Sequence, residues 1–190
     1  MTVFIVGLVL FLGVHSASIV APVWRDALVA RRGEKPWKGL YALVSLIGFG
    51  LLIYGYGIAR QSPVVLYTPP VFMRHVALLL LLPVFPLLLA AYLPGRIKTA
   101  ARHPMLLAVK LWAVAHLLAN GTLADVLLFG GFLVWAVADR ISLKRRTPRP
   151  VPAAPAGPLN DAIVIVGGLA LYVAFVLVLH RWLIGVSPLA

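Results

Sequence analysis

The sequence predicts an all-α, polytopic membrane helical bundle of about six transmembrane helices, and two observations predict it. The 190-residue chain is 62% hydrophobic and only 12% charged, a balance foreign to ordinary soluble domains. Its apolar residues also come in runs rather than one-sided stripes, at 1–21, 40–59, 76–93, 105–118, 123–138 and 162–179. At 1.5 Å per residue, about 20 residues cross the roughly 30 Å hydrocarbon core of a bilayer. The runs lack the alternation of strands, so the backbone must satisfy its own hydrogen bonds as helix.

Each run has its own signature. No basic residue precedes the apolar stretch of the first, and Ala21 leads into Pro22 and Trp24 rather than a cleavage site, so a retained helix is expected. Pro83 and Pro86 should kink the third run and free backbone carbonyls that need partners. The fourth opens at Arg102-His103-Pro104, where proline suits a first helical turn. Asp125, after Asn120-Gly121-Thr122, reads as a cap on the fifth. The proline-dense stretch within 147–161 is expected to be an extended cytoplasmic linker. It joins a five-helix core, 1–146, to a last helix in 162–190. No internal repeat is evident, which argues against an inverted-repeat transporter.

Charge gives the orientation. Of 17 Lys and Arg, set against 5 acids, all but Arg60, Arg74, Lys110 and Arg181 fall in odd-numbered loops. The positive-inside rule then places both termini in the periplasm. Trp24, Trp37, Tyr41 and Tyr92 flank the inner boundary, and Tyr54, Tyr56, Tyr67 and Trp182 the outer one. Dispersal of the basic residues among loops fits contact with anionic membrane lipids and argues against nucleic acid. Cysteine is absent, which removes disulfides, iron–sulfur clusters and thiolate-ligated or covalently attached haem.

Ionisable groups inside a bilayer cost free energy and mark sites or contacts. His15 lies in the first run and His116 in the middle of the fourth, with Trp112 and Asn120 one turn away on the same face. Lys110 lies six residues before His116, and His103 begins that helix. His75, His180 and Asp125 fall near the outer boundary, while Asp139 and Arg140 read as a neutralising pair at the inner one. An intramembrane histidine can bond a neighbouring helix, and a lysine can snorkel to the headgroups. Two histidines on separate runs, with no acid close in sequence, also suit a metal or haem. The carbonyls of Phe11 and Trp112, four residues earlier, could then orient the rings. Gly7, Gly13, Gly130 and Gly131 would let helices or a porphyrin approach closely, and Arg102 or Lys110 could neutralise propionates.

The segment 103–108 (His-Pro-Met-Leu-Leu-Ala), with Trp112-Ala113 and 115–121 (Ala-His-Leu-Leu-Ala-Asn-Gly), resembles the signature of the NnrU family. The likeness continues through 127–130, Trp135 and Asp139-Arg140, and upstream through Val14-His15-Ser16, 31–34, 37–45 and Met73-Arg74-His75. The resemblance implies a bacterial inner-membrane protein associated with denitrification and nitric oxide metabolism. It also implies kinship with the plastid zeta-carotene isomerase, a haem b membrane protein that isomerises a cis double bond in a polyene. By that likeness the ligands of haem b fall on His15 and His116. The cofactor-binding set is then His15, His116, Arg102, Lys110, Asn120 and His103, and the substrate is an apolar small molecule.

Two other classes compete. An assembly protein for a respiratory nitrogen-oxide reductase, or a small transporter, would use the same residues as helix contacts or proton-path groups. A membrane methyltransferase of the isoprenylcysteine carboxyl methyltransferase type also opens its cofactor region with Arg-His-Pro. Here Leu106 stands where that group carries Tyr, Ala108 replaces Gly, and Asp161 is the lone acid beyond Asp139.

Overall fold

The computed structural model describes residues 1–147, 149 and 151–189. In chain order its helices are α1 (Thr2–His15), α2 (Ala17–Val20), α3 (Pro22–Arg32), α4 (Glu34–Ala59), α5 (Met73–Leu81), α6 (Val84–Ala90), α7 (Arg96–Ala101), α8 (Pro104–Ala119), α9 (Leu123–Ser142) and α10 (Asn160–Ala174). A π-helical stretch, Phe175–Leu179, then leads into α11 (His180–Ile184). Among the described residues there is no strand, only an isolated bridge between Val65 and Thr122. The all-α expectation therefore holds. Glu34–Ala59, Met73–Ala90 and Asn160–Ile184 are long and apolar enough to cross a membrane, and Thr2–His15 and Pro104–Ala119 are shorter apolar helices. Leu79 and Val134 are 71% and 69% exposed, as side chains meant for lipid would be rather than for water.

The chain forms two compact units. The first comprises Met1–Thr68 and Gly121–Thr147. Its centre is α1 packed on α4, and glycine sets how closely they approach. A Cβ added at Gly48 would sit 2.7 Å from the backbone N of Phe11, one at Gly55 would fall on the backbone of Phe4, and one at Gly7 on that of Leu52. Gly13 and Gly130, expected to serve close approach, have nothing within 4 Å of an added Cβ. The first run does not stay one helix. Ser16 donates through Oγ to Leu12 O at 2.7 Å, the competing bond a serine offers helical backbone, and α1 stops there.

α9 begins with a capping box, in which Asp125 N–H donates to Thr122 Oγ1 at 3.3 Å and Thr122 N–H to Asp125 Oδ2 at 3.1 Å. The cap expected of Asp125 is thus observed, with a further bond: Tyr56 of α4 donates its phenol O–H to Asp125 Oδ1. The loop before it is pinned by Leu66 N–H to Gly121 O at 2.8 Å and Leu123 N–H to Val64 O at 2.8 Å. Beside it, burial and then the Asp125 carboxylate push the Tyr67 phenol above its usual range.

The second unit comprises Pro69–Asn120 and Pro148–Ala190. Pro83 and Pro86 divide the third run into α5 and α6, as their missing N–H groups require. Leu82 N–H turns to Leu79 O, and the Leu78 carbonyl instead accepts the phenol of Tyr172 on α10, at 3.0 Å. Gly168 of α10 lies against Pro86, where an added Cβ would sit 2.6 Å from Cα. Val84, Leu87 and Ala108 form the core between α6 and α8.

The proline-dense segment includes Pro148 and Pro150, which lie outside the described residues. Its later part is exposed but anchored: Ala154 N–H donates to Tyr92 O at 2.9 Å, and Asn160 Nδ2 to Pro94 O at 2.8 Å. Asp161 accepts from Arg96 N–H at 2.9 Å and Ile97 N–H at 3.1 Å, so the start of α10 caps the start of α7.

Candidate functional site

His15 ends α1 half-buried in the first unit. Its Nδ1 donates to Phe11 O at 2.7 Å. The Phe11 ring stacks on the imidazole with centroids 4.2 Å apart, Tyr41 of α4 lies at 5.1 Å, and Trp135 of α9 meets it edge-on at 6.1 Å. One turn beyond Trp135, Asp139 binds Arg146 at 2.6 Å, with both side chains about 15% exposed. That corrects the expected pairing with Arg140. Neighbours in sequence point to different sides of a helix, whereas Arg146 reaches back from the turn after α9. A cleft of about 370 Å³ beside α1 and α4 is lined by Gly13, Trp24, Trp37 and Tyr41 among aliphatic side chains. It is suited to an apolar molecule.

His116 sits half-buried on α8 in the second unit. Its Nδ1 donates to Trp112 O at 2.8 Å, and the Trp112 ring lies 5.2 Å from it. Asn120 ends the helix in an extended conformation, its N–H and Nδ2 both donating to His116 O, at 2.8 and 2.9 Å. The two histidines thus carry the same restraint. A carbonyl can only accept, so Nδ1 of each ring carries a proton; in the neutral tautomer with that proton, Nε2 is the nitrogen with the lone pair a metal requires.

The entry to α8 is a tight γ-turn. Arg102 has φ 58° and ψ −49°, and His103 N–H donates to Ala101 O at 2.6 Å. Positive φ at a residue with a Cβ is strained. His103, at φ −131° and ψ 68°, then takes the N-cap position of α8 without a side-chain capping bond, with Pro104 in the first turn. Among the described residues no three His, Cys, Asp or Glu side chains gather as a metal cage.

The family profile described as NnrU protein matches residues 3–188. The chain belongs to the NnrU family. Comparisons with curated proteins and with solved structures gave no match. The NnrU match takes in both histidines, the strained Arg102 turn and all of α8.

Of the residues singled out in this NnrU chain, His116 and Asn120 are in direct contact. Arg102 and His103 adjoin at the start of the same helix, and Lys110 is half-buried between them and His116 in sequence. His15 belongs to the other unit. Sequence reasoning missed the bond from Tyr56 to Asp125, the ring of aromatics on His15, and Arg146. Trp135 and Asp139 share a face of α9, but Arg146 lies in the turn beyond Ser142, where helical spacing gives no signal.

Proposed function

We propose that this NnrU-family chain binds haem b in the bacterial inner membrane, with His15 and His116 as axial ligands. The observation that supports the reading is the matched anchoring of the two imidazoles, Nδ1 to the carbonyl four residues back, at 2.7 and 2.8 Å. Metal-ligating histidines are held in this manner, which fixes tautomer and ring orientation. When bound, haem b supplies an iron whose potential is set by its axial ligands and surroundings. The chain's own part is to stop the rings rotating, to surround them with Phe11, Trp135 and Trp112, and to keep water off. Arg102, Lys110 and His103 are assigned to the propionate side, and Asn120 to fixing the backbone at His116.

Six crossings with both termini in the periplasm belong to this reading, supported by the helical form of the six apolar runs and by the gathering of basic residues in alternate loops. The protein's role lies in nitric oxide metabolism linked to denitrification, beside a respiratory nitrogen-oxide reductase, or in an isomerase-like reaction of an apolar substrate.

Absorption spectra of the detergent-purified protein, oxidised and reduced, test the cofactor. A Soret band at near one haem per chain, with sharp visible bands on reduction, is expected, and His15→Ala or His116→Ala should each lose or alter it. Wild-type haem content and spectra in both variants would sink the assignment. Because the chain lacks cysteine, single cysteines introduced at Thr99 and Ser187 report topology. Labelling of Thr99→Cys from the cytoplasmic side and of Ser187→Cys from the periplasmic side is expected; the reverse discards the orientation.

A further inference from the structure

We propose that Ser45, Trp135 and Arg146 form a carboxylate-binding site beside His15 that receives one propionate of the haem, an inference that rests on the haem reading. Two buried donors in the described structure have no hydrogen-bond partner, Trp135 Nε1 and one terminal nitrogen of Arg146, Nη1; Ser45 Oγ also lacks a partner of good geometry, with the Tyr41 phenol within reach of it. All three belong to the first unit. A buried donor left without an acceptor is costly, and native proteins pair nearly all of them.

Each of the three belongs to, or is linked to, the ring of residues around His15. Trp135 meets the His15 ring edge-on at 6.1 Å, and Tyr41, one helical turn before Ser45, lies 5.1 Å from it. Asp139, one turn after Trp135, holds Arg146 by Nη2 alone. One arm of the guanidinium fork is therefore committed and the other is open.

The chemistry of the missing partner follows. Indole N–H and guanidinium N–H groups only donate, so they cannot satisfy each other, and the serine hydroxyl can follow either role. What is absent is an acceptor with more than one oxygen, and a guanidinium gains most from a charged one. A carboxylate fits. Of the groups that arrive with a haem held on His15, the propionates are the carboxylates.

Haem b and its dimethyl ester share iron and ring, but the ester lacks carboxylates. Soret titration of apoprotein with each, for wild type, Ser45→Ala, Trp135→Phe and Arg146→Lys, separates the possibilities. Lysine keeps a charge for Asp139 while removing the fork. Arg146→Lys is expected to weaken the free-acid haem roughly tenfold, the loss of one charge-assisted hydrogen bond, and to leave the ester unchanged, whereas Trp135→Phe, beside the His15 ring, should weaken the free acid more than the ester. Equal weakening of both haems overturns the proposal and assigns the cluster to packing. No weakening in any variant overturns it in favour of buried water, or of a lipid phosphate if phospholipid co-purifies with wild type and is lost in Trp135→Phe. A wild-type chain that binds neither haem removes the haem reading itself, and this site with it.

Discussion

Around His15, Phe11, Tyr41 and Trp135 come from three helices, α1, α4 and α9. Around His116, the residues that hold the ring and its carbonyl are Trp112 and Asn120, one turn before and one turn after on the same strip of chain. The anchor on Nδ1 is the same in both. The difference is how each ring is kept in place. His15 is positioned by helix packing and fails when packing fails, whereas the bonds on Nδ1 and the carbonyl of His116 are set by helical spacing, which survives more disturbance.

The largest test of that contrast is Gly48→Leu. Its side chain would enter the backbone of Phe11 and push α1 from α4. Overpacking of this kind costs about 1–3 kcal/mol, occasionally more, and a lower thermal midpoint in detergent is expected together with a disturbed His15. Gly13→Leu, with open space around it, should leave the midpoint nearly unchanged; equal effects of the two would break the packing account.

Asn120→Ala is a smaller perturbation. It removes the amide bond to His116 O and should cost about 1 kcal/mol, read as a small drop in the midpoint with the His15 side untouched. A collapse as deep as that of Gly48→Leu would mean that His116 too depends on packing at a distance.

Arg102→Gly acts in the opposite direction. Glycine accepts φ 58° without the Cβ penalty, so the apoprotein should gain about 1 kcal/mol. If Arg102 serves a propionate, haem affinity falls while stability rises. Falling stability would show that the arginine side chain outweighs the strain of its backbone.

The same contrast explains what could be read from the residues. The carbonyls of Phe11 and Trp112, the contact of Asn120, the Asp125 cap and the break at Pro83 all follow from spacing within one helix, which the 3.6-residue period dictates. Register between helices has no such rule. Gly48 and Gly55, which carry the α1–α4 contact, look in sequence no different from Gly13 and Gly130, which carry none. Tyr56 could not be matched to Asp125, 69 residues away, because only the packed helices bring them together. Arg146 was obscured by Arg140, a nearer charge on the wrong face of α9.

The bond from Tyr172 to Leu78 spans 94 positions, and that separation bears on how the protein is made. The proline-broken third helix leaves the ribosome long before the phenol that completes it. During synthesis it enters the membrane with a carbonyl that hydrocarbon cannot satisfy, a debt of several kcal/mol for a fully desolvated group. The helix gains that partner only once α10 has been made, so a chain cut before Tyr172 should show a lower thermal midpoint in detergent than the 190-residue chain.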